Sequence, residues 1–358
     1  MHDERAARRG QRSDHAMRVR LMRVRLMTLG VFTFAVVGVV GPVSIAGQST
    51  PRKAMAEPPR TPWGAPDLEG TWTGSTITPL ERPAEYANKR VLTPEEAAAL
   101  EKKARLRNEA EPTTGPGDPG TYNQIWFDPS SAVVPDRRTS LIVDPPDGKI
   151  PYTPEGRALA NRATAHYGVG ARDSHTDFDT GERCLTDGMP IPYWTGYNNN
   201  YQIVQTPQYL AIAAEMFHDL RVIPLDGRPR TNAPQWFGES RGRWEGDVLV
   251  VETTNFADKS GYWWATSWRA ARLGLRIIER FKRTDAENLD YEFTMEDPVM
   301  FTQPWTARFP LTTNQASRGV TEGRMYEYAC HEGNYSLINA LRGGGASESE
   351  AGDRSQKP

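Results

Sequence analysis

Leu275 to Pro298 reads LRIIERFKRTDAENLDYEFTMEDP, and its period decides the fold. Two alternating runs flank the polar turn Asp285-Ala286-Glu287-Asn288, the pattern of an antiparallel hairpin. In the first run Ile277, Glu279 and Phe281 share one face, while Arg276, Arg280 and Lys282 share the other, because successive strand side chains point oppositely. Working outward, the same grammar repeats. YQIVQTPQYLAIAAEM is a strand, a Thr-Pro-Gln turn and a second strand, and DLRVIPLDGRP adds another. GRWEGDVLVVETTNF turns at Glu245-Gly246-Asp247, and TARFPL and RMYEYACHE complete the series. Successive hairpins without intervening helices predict an antiparallel meander. Eight to ten such strands close into a barrel or fold as a sandwich, which protects their edges. The expectation is a mainly β domain closing into a barrel with a few peripheral helices.

The flanking sequence has other characters. From Met17 a basic stretch (Arg18, Arg20, Arg23, Arg25) precedes an apolar run from Leu26 to Val40 and a small-residue exit at Ser44-Ile45-Ala46. That order predicts a cleaved secretory signal peptide ending at Ala46, with a membrane-anchoring helix as the alternative. The polar first 16 residues read as a start placed too far upstream. The expected organisation is a leader over 1–46, a Pro-rich linker over 47–66, one β-rich domain over 67–342, and a disordered tail over 343–358. Two polar surface helices are expected within the domain, each opened by a Thr-Pro pair, Thr93-Pro94 and Thr153-Pro154.

The leader carries eight of the 43 Lys/Arg and three of the 45 Asp/Glu, so the remaining chain holds 35 against 42, a net charge of −7. An acidic exported chain has no electrostatic reason to bind nucleic acid. With no membrane span expected after cleavage, a periplasmic or secreted location follows. Hydrophobic residues make up only 38%, yet there are 10 Trp and 13 Tyr, which suits a β-rich domain with an aromatic-lined surface. Cys184 and Cys330 are the only cysteines. In an oxidising compartment such a pair most simply forms a disulfide; two free thiols, or one catalytic thiol, are the alternatives.

Two resemblances bear on this chain. DLEGTWTG, with Gly70-Thr71-Trp72, resembles the Gly-x-Trp of the first strand in lipocalin-like barrels, with no evident partner for that family's later arginine. The blocks GYNNNYQIVQTP, EMFHDLRVIPLDGRP, SRGRWEGDVLVVETTNF, ERFKRTDAENLDYEFTMEDP, FTQPWTARFPL and YEYACHEGNY together resemble a large set of secreted bacterial proteins of uncharacterised function. That second likeness implies a common exported β-rich fold and supplies no activity.

The chemistry must come from residues. Cys330-His331 cannot act as nucleophile and base on a strand, where neighbours face opposite sides. Glu279 lies on an otherwise apolar face, so it either pairs with a cation or stays protonated, the state a general acid needs. His331, His218 and Glu279 are therefore the candidate proton-transfer groups of an exported acid/base enzyme (lyase, isomerase or hydrolase type). No cofactor is expected. The alternative is a divalent metal such as zinc on His218, His331 and a carboxylate from Glu215, Asp219 or Glu332. Rings and amides at Trp194, Asn198, Asn200, Tyr201, Trp263 and Trp264, with Arg243 and Asn334, suit a small aromatic or sugar-like ligand. Two non-enzymatic readings stand beside this one: a binding protein for an aromatic or hydrophobic small molecule, and an interaction module of the cell envelope.

Overall fold

The structure is a computed structural model that describes residues 57–343, apart from 111–128, 167–173, 187–189, 194–195, 232, 259–272, 321, 324, 333–334, 336–337 and 340. The expected leader, the first half of the linker, the insertion around Trp263 and Trp264, and the tail after residue 343 lie outside the described residues.

Ten strands form one sheet: β1 (Gly70–Thr73), β2 (Ile142–Asp144), β3 (Asn200–Gln205), β4 (Tyr209–Ala214), β5 (Leu220–Pro224), β6 (Glu239–Glu245), β7 (Val248–Thr254), β8 (Arg276–Arg283), β9 (Asn288–Glu296) and β10 (Trp305–Thr312). Their order is β5-β4-β3-β1-β10-β9-β8-β7-β6, with β2 paired to β10 off this path. Every pairing along the path is antiparallel. The expected meander is present, nearly closed into a barrel. Two helices lie beside it, α1 (Pro94–Glu109) and α2 (Pro154–His166). Thr93 caps α1 in a capping box with Glu96, and only Ala97 and Ala104 of this helix are buried. Among the described residues no helix is long and apolar enough to cross a membrane.

Nine strands in an antiparallel path have a geometric consequence. Because the number is odd, the two edge strands β5 and β6 point the same way, and no ladder joins them among the described residues. Side chains close the seam instead. Gly242 of β6 permits the approach, since a Cβ there would meet Leu225 Cδ2 at 2.5 Å and Ile223 Cγ2 at 3.2 Å. Arg221 of β5 provides the polar half. Its Nε donates to Ser240 on β6 (2.9 Å), and its Nη2 donates to Thr253 on β7 (2.7 Å) and to Glu279 on β8. Its Nη1 donates to Glu279 Oε1 (3.0 Å) and to the Pro190 carbonyl (3.1 Å). Tyr291 of β9 donates its hydroxyl to Glu279 Oε1 at 2.9 Å. One guanidinium thus ties four strands, counting its own, with all five N–H groups engaged. Glu279 is 0% exposed and Arg221 4%.

Around this network the interior is filled by rings. Phe281, Tyr291 and Phe309 occupy paired positions across β8, β9 and β10, with centroids 4.9 and 5.2 Å apart. Phe293, Trp305 and Phe301 continue the cluster through edge-on contacts of 5.5 and 5.7 Å. Trp72 on β1 is fully buried, and Arg283 at the end of β8 lies 4.7 Å over its ring. Arg283 is thus an inward residue of β8 whose guanidinium covers the indole. Its position follows the phase of Ile277, Glu279 and Phe281, which continues inward to residue 283.

The outer face of β6 to β10 is ionic: Arg276 pairs with Glu252 (2.6 Å) and Glu296 (2.7 Å), and Arg308 with Asp290 (2.6 Å). The outer face of β3 to β5 is apolar instead. Leu220 and Val222 are 58% and 51% exposed, because Arg221 and Ile223 take the inward positions. One predicted strand is absent. Residues 325–329 of RMYEYACHE form no regular structure and Cys330 to Glu332 form a turn. The last ten residues of the expected linker, 57–66, fold back on the barrel end, where Gln205 Nε2 donates to the Pro66 carbonyl (3.1 Å).

The network makes two checkable predictions. Glu279→Gln leaves a buried, uncompensated guanidinium and should cost about 3–5 kcal/mol, whereas the double change Arg221→Met, Glu279→Leu should restore most of that. Urea titrations of the three proteins decide between this outcome and equal losses. Burial, and then the neighbouring Glu279 charge, hold the Tyr291 hydroxyl well above its ordinary value. A raised folded value means stability is full below the unfolded tyrosine value near 10 and falls as pH rises past it. From pH 9 to 11 the wild type should therefore lose about 1.4 kcal/mol more than Tyr291→Phe.

Candidate functional site

The β4–β5 hairpin closes over Glu215 to His218. Its last two residues, Phe217 (φ 59°) and His218 (φ 55°), are both left-handed. Glycine or asparagine is the usual occupant there, because a Cβ costs about 1–2 kcal/mol per residue in that region. A phenylalanine and a histidine at both positions present a ring and an imidazole at the barrel rim.

Beneath them Glu215 is buried, with no cation paired to it among the described residues. Its Oε2 accepts from the Asn200 backbone N–H (3.2 Å) and side-chain amide (2.8 Å), and its Oε1 accepts from the Tyr326 backbone N–H (2.8 Å). Asn200 Oδ1 in turn accepts from Gln315 Nε2 (2.7 Å), whose Oε1 accepts from Gly323 N–H (2.9 Å). His218 Nε2 accepts from Tyr328 N–H at 2.8 Å, which requires the neutral ring with its proton on Nδ1. These bonds explain the missing strand. The N–H groups of Tyr326 and Tyr328 are taken by the side chains of Glu215 and His218, so they are not available to a neighbouring strand.

The segment is also held covalently. Cys184 and Cys330 are bonded, bridging 146 residues of sequence. The disulfide expected from the cysteine pair is therefore present, and neither thiol is free. Tyr328 is flanked by two rings, Tyr197 stacked at 6.2 Å and 20° and Phe217 tilted at 4.9 Å. Tyr326, 69% exposed, stands beside them.

The structure does not gather the three expected proton-transfer groups. Glu279 is inside the barrel on Arg221 and Tyr291, whereas His218 and His331 are both exposed. Its pairing answers the choice between a paired and a protonated carboxyl in favour of the pair. The inward strand position expected for His331 is replaced by a surface turn. Among the described residues no group of three or more His, Cys, Asp and Glu is arranged to hold a metal ion.

The expected ligand-binding residues divide similarly. Tyr201 points its ring into the core and donates its hydroxyl to the Tyr193 carbonyl (2.7 Å), so it is a packing residue. Asn200 has its amide committed to Glu215 and Gln315. Arg243 is on the outer face near the β6–β7 turn, paired with Glu245 at 2.6 Å, far along the strand from the hairpin rim. Asn198 remains at the rim, half-buried and left-handed (φ 51°). Trp194, Trp263, Trp264 and Asn334 lie outside the described residues. Two rim residues escaped the sequence reading, Phe217 and Tyr328. The usable signal was EMFHD itself, a tight hairpin loop with bulky residues where turn formers are usual.

No known protein family, curated protein or solved structure matches this chain.

Proposed function

We propose that this is an exported binding protein for a flat, polar-edged small molecule, aromatic or sugar-like, held on the rim made by Tyr197, Phe217, His218 and Tyr328. The observation that carries the reading is the left-handed Phe217-His218 pair. Strained backbone that packing does not demand clusters at ligand sites, and here the strain displays a ring and an imidazole beside two stacked tyrosines. Rings supply stacking surface, and the neutral imidazole and Asn198 supply polar edges.

Export is supported by the leader expected over residues 1–46 and by the Cys184–Cys330 bond, since disulfides persist in oxidising compartments. An acid/base enzyme is the second reading. Its support is reduced to the exposed His218 and His331, because Glu279 is held as a carboxylate by Arg221.

Thermal-shift titrations with phenol and with methyl β-glucoside test the proposal. Binding at a concentration 100 times Kd should add about 2.7 kcal/mol to the apparent stability. Phe217→Gly should separate function from folding. Glycine accepts the left-handed backbone, so stability should hold or rise by about 1 kcal/mol while the ligand shift disappears. Should neither probe shift the wild type, or should Phe217→Gly respond like the wild type, the rim is not the site. Ligand recovered chemically unchanged supports the binder; turnover abolished by His218→Ala would favour the enzyme.

A further inference from the structure

At the other end of the strands, the β6–β7 and β8–β9 turns and the folded-back segment 57–66 enclose a cavity of about 220 Å³. Its walls include Pro58, Pro66 and Thr284, and its charged lining is Arg60, Asp247, Lys282 and Arg283. Three cations face one carboxylate, a local excess of two positive charges in a chain that is acidic outside its leader.

The three cations are not equally occupied. Arg60 is paired, donating to Asp247 (2.9 Å) and to the Gly64 carbonyl (2.9 Å). Arg283, 7% exposed, donates only to backbone carbonyls: Asp285 through Nε (2.7 Å), Asp67 through Nη1 (2.9 Å) and Ala286 through Nη2. Among the described residues three of its five N–H groups are used, and no carboxylate accepts from it. The two nearby acids, Asp67 and Asp285, bring charge to Arg283, but their carboxylates accept hydrogen bonds from other groups. Asp285 Oδ1 accepts from Glu287 N–H, Asn288 N–H and the Asn288 amide, and Asp67 Oδ1 accepts from Glu69 N–H. Lys282 is exposed and has no hydrogen bond or ion pair among the described residues. Its cross-strand neighbour Asp290 is engaged by Arg308 instead.

Burial lowers the proton affinity of Arg283, the charges of Asp67 and Asp285 offset this only in part, and its two unused N–H groups therefore favour a further anion. We infer that this cavity binds a small organic carboxylate, its charged group between Arg283 and Lys282 and its apolar body against Pro58 and Pro66. A volume of 220 Å³ is below the range of about 300–1,000 Å³ for drug-sized ligands and equals that of about seven waters. A monocyclic acid fits this size. The site is independent of the rim carrying His218.

Benzoate is the probe, with benzamide as its neutral counterpart and inorganic phosphate as a bare anion. Isothermal titration at low salt, in a Phe217→Gly background that silences the rim, should show benzoate binding and benzamide not. Lys282→Gln should weaken benzoate about tenfold, the loss of one charge-assisted hydrogen bond, and Lys282→Arg should restore it. In that background the backbone amide shifts of labelled protein should be confined to residues 58–67, 247 and 282–284. Lys282 is on the surface, so its variants test the site without the folding risk of changing Arg283. Benzamide binding as well as benzoate, phosphate binding as tightly as benzoate, or a Lys282→Gln variant with wild-type affinity would each overturn the inference.

Discussion

The Arg221–Glu279 pair is the constraint on which the barrel depends. An odd-numbered antiparallel meander cannot close with another antiparallel ladder, and its two edges would otherwise present unpaired backbone side by side. Arg221 spans that gap from β5 to β6, β7 and β8. A hydrophobic side chain could fill the same volume and cost less to desolvate, so such pairs are weak devices for stability alone. What the pair supplies is direction. A guanidinium with five satisfied donors defines which face of β5 points inward and how far along β6 it lies. Register slips by one residue would turn Arg221 to water and leave Glu279 buried alone.

This explains why β5 is the strand whose facing the sequence obscures. In LRVIP, hydrophobicity alone would put Leu220 and Val222 inside, and the structure puts them outside. The charge on Glu279 overrides the hydrophobic preference of two residues. Elsewhere the pattern was sufficient. β8 and β9 alternate in and out as their sequence alternates, and the turns at Asp285 to Asn288 and at Gly246 (φ 60°) fall where turn residues cluster. Residues 325–332 fail for another reason. YEYACHE alternates well enough for a strand, but a strand needs a partner for its N–H groups, and no local pattern reveals that Glu215 and His218, more than a hundred residues earlier, will take them. The disulfide was legible because pairing the only two cysteines needs no geometry.

The candidate site was legible as a set of residue types and much less as a place. The histidine, asparagine and aromatic candidates were scattered from Trp194 to Asn334, and of these His218 and Asn198 stand at the rim of the β4–β5 hairpin. Their roles were not separable by type. Asn200 and Tyr201 are adjacent in one polar run, yet one holds a buried carboxylate and the other packs the core. Only three-dimensional partners distinguish a side chain spent on holding the rim from one offered to a ligand.

Arg283 shows the same economy at the opposite end. Its guanidinium covers the Trp72 ring and ties the folded-back segment to the β8–β9 turn through carbonyls, so its first task is to seal the barrel. Carbonyls satisfy hydrogen bonds but bring only partial charge. Burial lowers the proton affinity of this sealing arginine, and the charges of Asp67 and Asp285 offset that in part. Arg221 is the contrast within the same molecule: paired with Glu279, it holds strands together and presents no charge to solvent. Arg221 and Arg283 thus differ in the acceptors they were given: a carboxylate and hydroxyls hold the first among four strands, and carbonyl oxygens hold the second at the barrel end.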